Sequence, residues 1–300
     1  MILAFVGLGQ MGKPMAINML KSGAELIVYS ASGGSYAELA ELGALPTDKL
    51  ARVAEADVVF LSLPSGRVVR QVLAGPGGIA ESVRAGAVIV DTSTSDYATT
   101  LEMVALLKSK NAGFVDAPVS GMESRAIDGT LTAMCGGEEA TLALVKPYLA
   151  LVANNILHVG PPGAGQLAKL INQLLFDVNC AALAEILPMA TKLGIDPGQM
   201  GKIVNSGTGK SHASEFFIPR ILENNFSSGY PMKHAYKDLI SGADIGARMG
   251  VPMPVLAAAT ATYQTALLQG YGDFDKGAMI RVYETLLGVA FRATATQGAA

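Results

Sequence analysis

Two sets of residues in this chain have types and spacing suited to chemistry. The first is the opening MILAFVGLGQMG, an apolar run followed by Gly7, Gly9 and Gly12 spaced G-x-G-x-x-G, with Leu8, Gln10 and Met11 between them. Directly after a strand and at the start of a helix, that spacing cradles the pyrophosphate of a dinucleotide. Gly7 allows the tight turn, Gly9 admits the pyrophosphate to the backbone, and Gly12 lets the helix pack on the strand. The helix N-terminus then presents unpaired N–H groups and a positive dipole end. The second set centres on Lys169, in the run QLAKLINQLL, with no acidic residue within a helical turn. Oxidising an alcohol by hydride transfer requires a base for the hydroxyl proton, and a lysine serves if its pKa is depressed to roughly 7–8. Asn172 and Gln173 follow Lys169 at three and four residues, so the three side chains can share one helix face. Taken alone, the same pattern also fits a lysine snorkelling from a linker helix.

The end of the second strand should choose the dinucleotide. A carboxylate there binds the ribose of NAD, and an Arg accepts the extra phosphate of NADP. Here the residues are Tyr29, Ser30, Ala31, Ser32, Gly33 and Gly34, which supply neither. Ser30 and Ser32 can bond either sugar. The expected cofactor is NAD or NADP, and the lack of a repelling carboxylate leans toward NADP.

These groups need a scaffold. Strand-like runs ILAFVG (2–7), ELIVYS (25–30), DVVFLSLP (57–64), AVIVDTST (87–94) and GFVDAPVSG (113–121) alternate with helical stretches such as 13–23 and 35–43. Continuous apolar strands alternating with helices predict βαβ units and a parallel sheet buried on both faces. LTAMCGG (131–137) and NILHVG (155–160) should finish the sheet. After the punctuation GPPGAG (160–165) the pattern turns wholly helical, beginning with Leu167, Leu170, Ile171, Leu174, Leu175 and Val178 at helical spacing. That first helix should run to about Lys192 with a possible kink at Pro188, and the tail ATATQGAA should fray. The predicted fold is an α/β Rossmann-type N-terminal domain, 1–162, joined by a long helix to an all-α C-terminal domain, 163–300.

Composition narrows the function. A net charge of −3 argues against nucleic acid or an anionic membrane surface as the main partner. No run of 18 uncharged apolar residues is evident, so no membrane span is expected. The N-terminus lacks a basic region before its apolar run, which points to a cytoplasmic protein. Cys135 and Cys180 fit no metal-ligand spacing and read as buried thiols. His158, His212 and His234 are scattered and read as structural or surface residues, so no metal site is expected.

Four stretches in order, GLGQMGKPMAINMLKSG (7–23), DAPVSGMESRAIDGTL (116–131), GPPGAGQLAKLINQ (160–173) and YPMKHAYKDL (230–239), resemble the β-hydroxyacid dehydrogenase family over almost the whole chain. The resemblance implies an NAD(P)-dependent oxidoreductase acting on a small 3-hydroxy carboxylate such as 3-hydroxyisobutyrate. It makes Lys169 the catalytic acid/base. It assigns Ser120 and Gly121 to the substrate carboxylate, Lys237 to the cofactor with Asp238 beside it, Thr94 to the nicotinamide end, and Leu63 and Pro64 to the cofactor lining. It also implies a homodimer or homotetramer built through the helical half. Three positions depart from the family pattern. Gln173 stands where Asn is usual, with Asn172 one place earlier; Tyr230 stands where Phe is favoured; Met122 stands where a second Gly is common. All three concern the substrate pocket. Rival readings are a reductase of imines or larger sugar acids on the same fold, and a non-catalytic dinucleotide-binding sensor.

Overall fold

Short runs of Val, Ile, Leu and Phe form strands because both their faces find apolar cover and neither needs water. In the computed structural model, which describes residues 1–293, these are β1 (Leu3–Val6), β2 (Leu26–Tyr29), β3 (Leu45–Thr47), β4 (Val58–Leu61), β5 (Val88–Asp91), β6 (Gly113–Asp116), β7 (Val119–Ser120), β8 (Leu131–Gly136) and β9 (Ala153–Gly160). The helices are α1 (Gly12–Lys21), α2 (Tyr36–Glu41), α3 (Leu50–Val53), α4 (Gly66–Ala74), α5 (Tyr97–Ser109), α6 (Met122–Ile127), α7 (Glu139–Leu149) and the long α8 (Ala164–Lys192). Then come α9 (Pro197–Ser206), α10 (His212–Leu222), α11 (Met232–Met249), α12 (Pro254–Leu268) and α13 (Ile280–Leu287). The chain divides into two compact units, Met1–Lys169 and Leu170–Ala300. The stretch ATATQGAA lies outside the described residues except for Ala293.

In the first unit the sheet order β3-β2-β1-β4-β5-β6 is parallel throughout. Strand order reverses between β1 and β4, and ligands of such sheets bind outside the carboxyl ends of the strands at that reversal. The sheet is not parallel to its end, as the sequence pattern suggested. β8 runs antiparallel to β6 and β7, and β9 then pairs parallel to β8. The physical reason is chain length: Gly121–Thr130, between β7 and β8, is shorter than the dozen or more residues a parallel crossover needs. The run 113–121 also breaks into two strands at Ala117–Pro118. Residues alternate between two cores, with Leu3 and Phe5 in one and Ala4 and Val6 in the other.

The second unit is built of helices around Phe217, Met232, Leu239, Tyr263 and Ile280. α8 continues through Pro188 without interruption. By length and composition it could cross a membrane, with a mean hydropathy of 1.4 over its best window. Its inner residues Cys180, Ala181, Ala184 and Leu187 are instead buried in this unit's core.

Candidate active site

The glycine loop follows β1 at the reversal point. Gly7 has a φ of +97°, and a Cβ there would lie 2.2 Å from the Ser62 carbonyl oxygen. A Cβ on Gly12 would lie 1.9 Å from the Gly7 carbonyl oxygen, so both positions exclude any side chain. Gly9 is different: a Cβ there would meet nothing, and its backbone faces open space. No side chain caps α1; the Lys13 N–H donates to the Gly9 carbonyl at 3.0 Å and Pro14 carries no N–H, so the dipole end and the open face at Gly9 are what the loop offers a ligand. An anionic diphosphate fits this cradle in charge and in space. Leu8 is buried, Met11 packs on the core, and exposed Gln10 donates from Nε2 to Glu123 Oε2 at 2.7 Å. That bond ties the glycine loop to α6.

After β2, the hydroxyls of Ser30 and Ser32 lie 3.1 Å apart, and Ala31 between them is exposed. The Tyr36 hydroxyl accepts from the Ser30 N–H at 2.8 Å and donates to the Thr47 carbonyl at 2.6 Å. This phenol fixes the loop that would face the adenosine ribose. After β4, the Leu63 N–H donates to Ser93 Oγ at 2.8 Å, and Pro64 is exposed. After β5 comes Thr94, also exposed.

After β6, the buried Asp116 carboxylate accepts from the Gly163 N–H at 2.7 Å and the Gln166 N–H at 3.0 Å. It therefore caps the N-terminus of α8, where negative charge is favoured. The GPPGAG punctuation has a packing purpose: a Cβ on Gly165 would lie 2.2 Å from the Met134 carbonyl oxygen. Lys169, on the second turn of α8, is only 9% exposed. Four residues past Asp116 come half-buried Ser120 and Gly121, the latter at φ +141°. Met122 holds φ +61° with an exposed side chain. A methionine in the left-handed region carries a backbone strain that glycine would not, and such strain gathers at functional loops.

Asp91 and Asp116 are register partners on adjacent strands, and both are fully buried. Burial pushes Asp91 up to about 7, with Asp116 adding to the rise against hydrogen bonds from Ser93. Burial likewise pushes Asp116 up to about 6, against the backbone N–H groups of α8. Asp91 Oδ1 accepts from the Ser93 N–H at 3.0 Å, while Oδ2 has no hydrogen-bond partner among the described residues. A carboxyl whose folded pKa is raised loses stability as pH climbs from its ordinary value to the folded one, and no more above that. Asp91 should therefore weaken the fold between pH 3.8 and about 7. Asp91→Asn should remove that loss, gaining on the wild type at a slope of about 1.4 kcal/mol per pH unit across this window. Urea midpoints measured at a series of pH values check this; a difference that does not change with pH would refute it.

In the second unit, Asn172 and Gln173 are joined side chain to side chain, Nδ2 to Oε1, at 3.2 Å. Tyr230 is exposed and its ring lies 5.3 Å from that of His234. On α11, Lys237 is exposed and Asp238 half-buried. His212 packs its ring against Phe176 and Phe216. In the first unit, the His158 Nε2 lies 2.8 Å from the Gly137 carbonyl oxygen. Both cysteines are free and buried, and burial pushes the Cys135 thiol up to about 12.

The structure thus gathers the glycine loop, Leu63–Pro64, Thr94 and Ser120–Met122 just beyond the carboxyl ends of β1, β4, β5 and β6, while Asp116 fixes the start of the Lys169 helix. Sequence reasoning missed Asp116, Gln166 and Ser93 as structural members of this arrangement. The available signal was an acidic residue closing a buried strand two residues before a proline. This is the architecture of a dinucleotide-dependent oxidoreductase with a second, helical unit.

Comparison with known proteins makes the class specific. Residues 2–160 match the family described as the NAD binding domain of 6-phosphogluconate dehydrogenase. Residues 163–283 match that described as NAD-binding of NADP-dependent 3-hydroxyisobutyrate dehydrogenase. The chain is 38% identical to 2-(hydroxymethyl)glutarate dehydrogenase of Eubacterium barkeri, over 96% of each chain. It is 33% identical to 2-hydroxy-3-oxopropionate reductase of Escherichia coli, over 95% of this chain and 98% of that one. A solved structure of Mycobacterium tuberculosis 3-hydroxyisobutyrate dehydrogenase with L-serine superposes with a TM-score of 0.84 at 31% identity, covering 94% of this chain and 99% of that one. The chain belongs to the β-hydroxyacid dehydrogenase family and is an NAD(P)-dependent oxidoreductase.

Proposed function

We propose that this enzyme interconverts a small 3-hydroxy carboxylate and its semialdehyde, with Lys169 as the acid/base. The observation that carries the reading is the Asp116 cap. One buried carboxylate both closes the strand leading to the Ser120–Gly121 loop and holds the first turn of the helix bearing Lys169. A carboxylate-binding loop and a proton-transfer group are thereby tied to one anchor. The names of the relatives share one chemistry, a carboxylate with an alcohol or aldehyde on its β carbon.

A nicotinamide dinucleotide held by the Gly7–Gly12 loop would supply the hydride chemistry. Neutral Lys169 takes the hydroxyl proton during oxidation, and its ammonium returns the proton to the carbonyl oxygen during reduction. Ser120, Gly121 and Met122 hold the substrate carboxylate, joined by Asn172, Gln173, Tyr230 and Asp238, while Lys237 serves the cofactor. The Ser30–Ser32 loop offers hydroxyls and no carboxylate, which favours NADP. Exposed Ile171, Leu175, Ile186 and Met189 line α8 at helical spacing, which supports a homo-oligomer covering that stripe. Retention of Lys169 with Ser120–Gly121 favours a hydroxy acid over an imine.

The test is absorbance of the reduced nicotinamide across a panel of 3-hydroxy acids, each with NAD and NADP. Turnover on 3-hydroxy monocarboxylates or their α-branched homologues is expected. Turnover confined to imines would overturn the substrate class, and tight cofactor binding without any turnover would leave a sensor.

A further inference from the structure

Gln166 is 3% exposed and lies one turn before Lys169 on α8. Its side-chain Oε1 accepts from the Ser95 N–H at 3.0 Å, and its Nε2 donates to the Ser93 carbonyl at 2.8 Å. Those two groups belong to the peptide units on either side of Thr94. A single amide thus fixes both planes flanking Thr94, much as a neighbouring strand would. Its own backbone N–H donates to Asp116 Oδ2 at 3.0 Å, so the residue is held at both ends. Ser93 passes the restraint on, because its Oγ accepts from the Leu63 N–H.

We infer that Gln166 is a positioning residue: its amide clamps the Thr94 turn to the first turn of α8 and so sets the register between the nicotinamide-side turn and the Lys169 helix. The inference rests on the proposed role of Lys169. Hydride and proton must move in one geometry, and misplacement by about 1 Å costs on the order of 100-fold in rate. An apolar side chain of the same length would keep the packing and lose both bonds.

The experiment is Gln166→Met, with turnover expressed per cofactor-binding site, the sites being counted by titration with reduced cofactor and its fluorescence. A purely structural role removes sites or lowers the melting point but leaves turnover per site unchanged. The expected result is a roughly 10- to 100-fold lower kcat per site, with the cofactor KM within about threefold of wild type. Gln166→Glu retains the acceptor for Ser95 and should fall between the two; if Gln166→Met does not fold, Gln166→Glu is judged by the same criterion. Turnover per site within about twofold of wild type overturns the inference. Lys169→Ala is run alongside. If it loses turnover while Gln166→Met keeps it, only the clamp fails; if Lys169→Ala keeps turnover, the acid/base reading fails.

Discussion

Lys169→Ala should lower kcat by about 10²- to 10⁴-fold, the usual worth of a positioned acid/base, while the enzyme still binds its reduced cofactor. The lysine sits almost wholly buried on a helix whose start is pinned by Asp116, so truncating it would remove the proposed proton carrier without disturbing the glycine cradle. Lys169→Arg separates charge from proton transfer. An arginine keeps the positive charge but does not deprotonate in a protein, so it cannot accept the alcohol proton. Both variants should fail in oxidation. Initial rates from the reduced-nicotinamide absorbance, with cofactor binding measured on the same samples, decide the matter. Wild-type rates in Lys169→Ala would end the assignment.

Lys276→Met should produce the largest loss of stability. Lys276 is 2% exposed and pairs with Asp177, which is wholly buried. Its ammonium also stands 4.3 Å over the Phe176 ring. Removing the cation leaves the Asp177 charge in an apolar core. Breaking one side of a buried pair costs about 3–5 kcal/mol, whereas replacing both partners by apolar groups is close to neutral. The double variant Lys276→Met with Asp177→Leu should therefore recover most of the loss. Urea unfolding of the single and double variants reads both effects. A single variant within about 1 kcal/mol of wild type would show that the charge is relieved locally.

Much of the first unit was legible because its signals are local. G-x-G-x-x-G works through one turn and one helix end, so Gly7, Gly9 and Gly12 declare their purposes by spacing alone. The parallel strands declare themselves because burial on both faces leaves a continuous apolar run, as in LAFV and VVFL. The antiparallel return of β8 was not legible, because direction depends on the length of the connection and not on the strand's own residues. β3 was missed for a similar reason: LPT is mostly exposed and includes a proline, so no periodicity marks it.

The site divides along the same line. Residue type and spacing were enough to name the glycine cradle, whereas Lys169 stood out from a snorkelling lysine only through the family resemblance. They could not reveal that Asp116 reaches 47 residues forward to Gly163, or that Gln166 reaches 73 residues back to Ser93. Such bonds join groups that share no local pattern. The pairing of Asp91 with Asp116, which adds to the rise that burial gives Asp91, likewise exists only because two strands lie side by side in register. The sequence carried the class of cofactor and the order of most elements, because both follow from local backbone chemistry. Only the tertiary structure decided which buried carboxylate anchors the lysine helix and which amide holds the Thr94 turn, because hydrogen bonds across long separations form only once the sheet and α8 have come together.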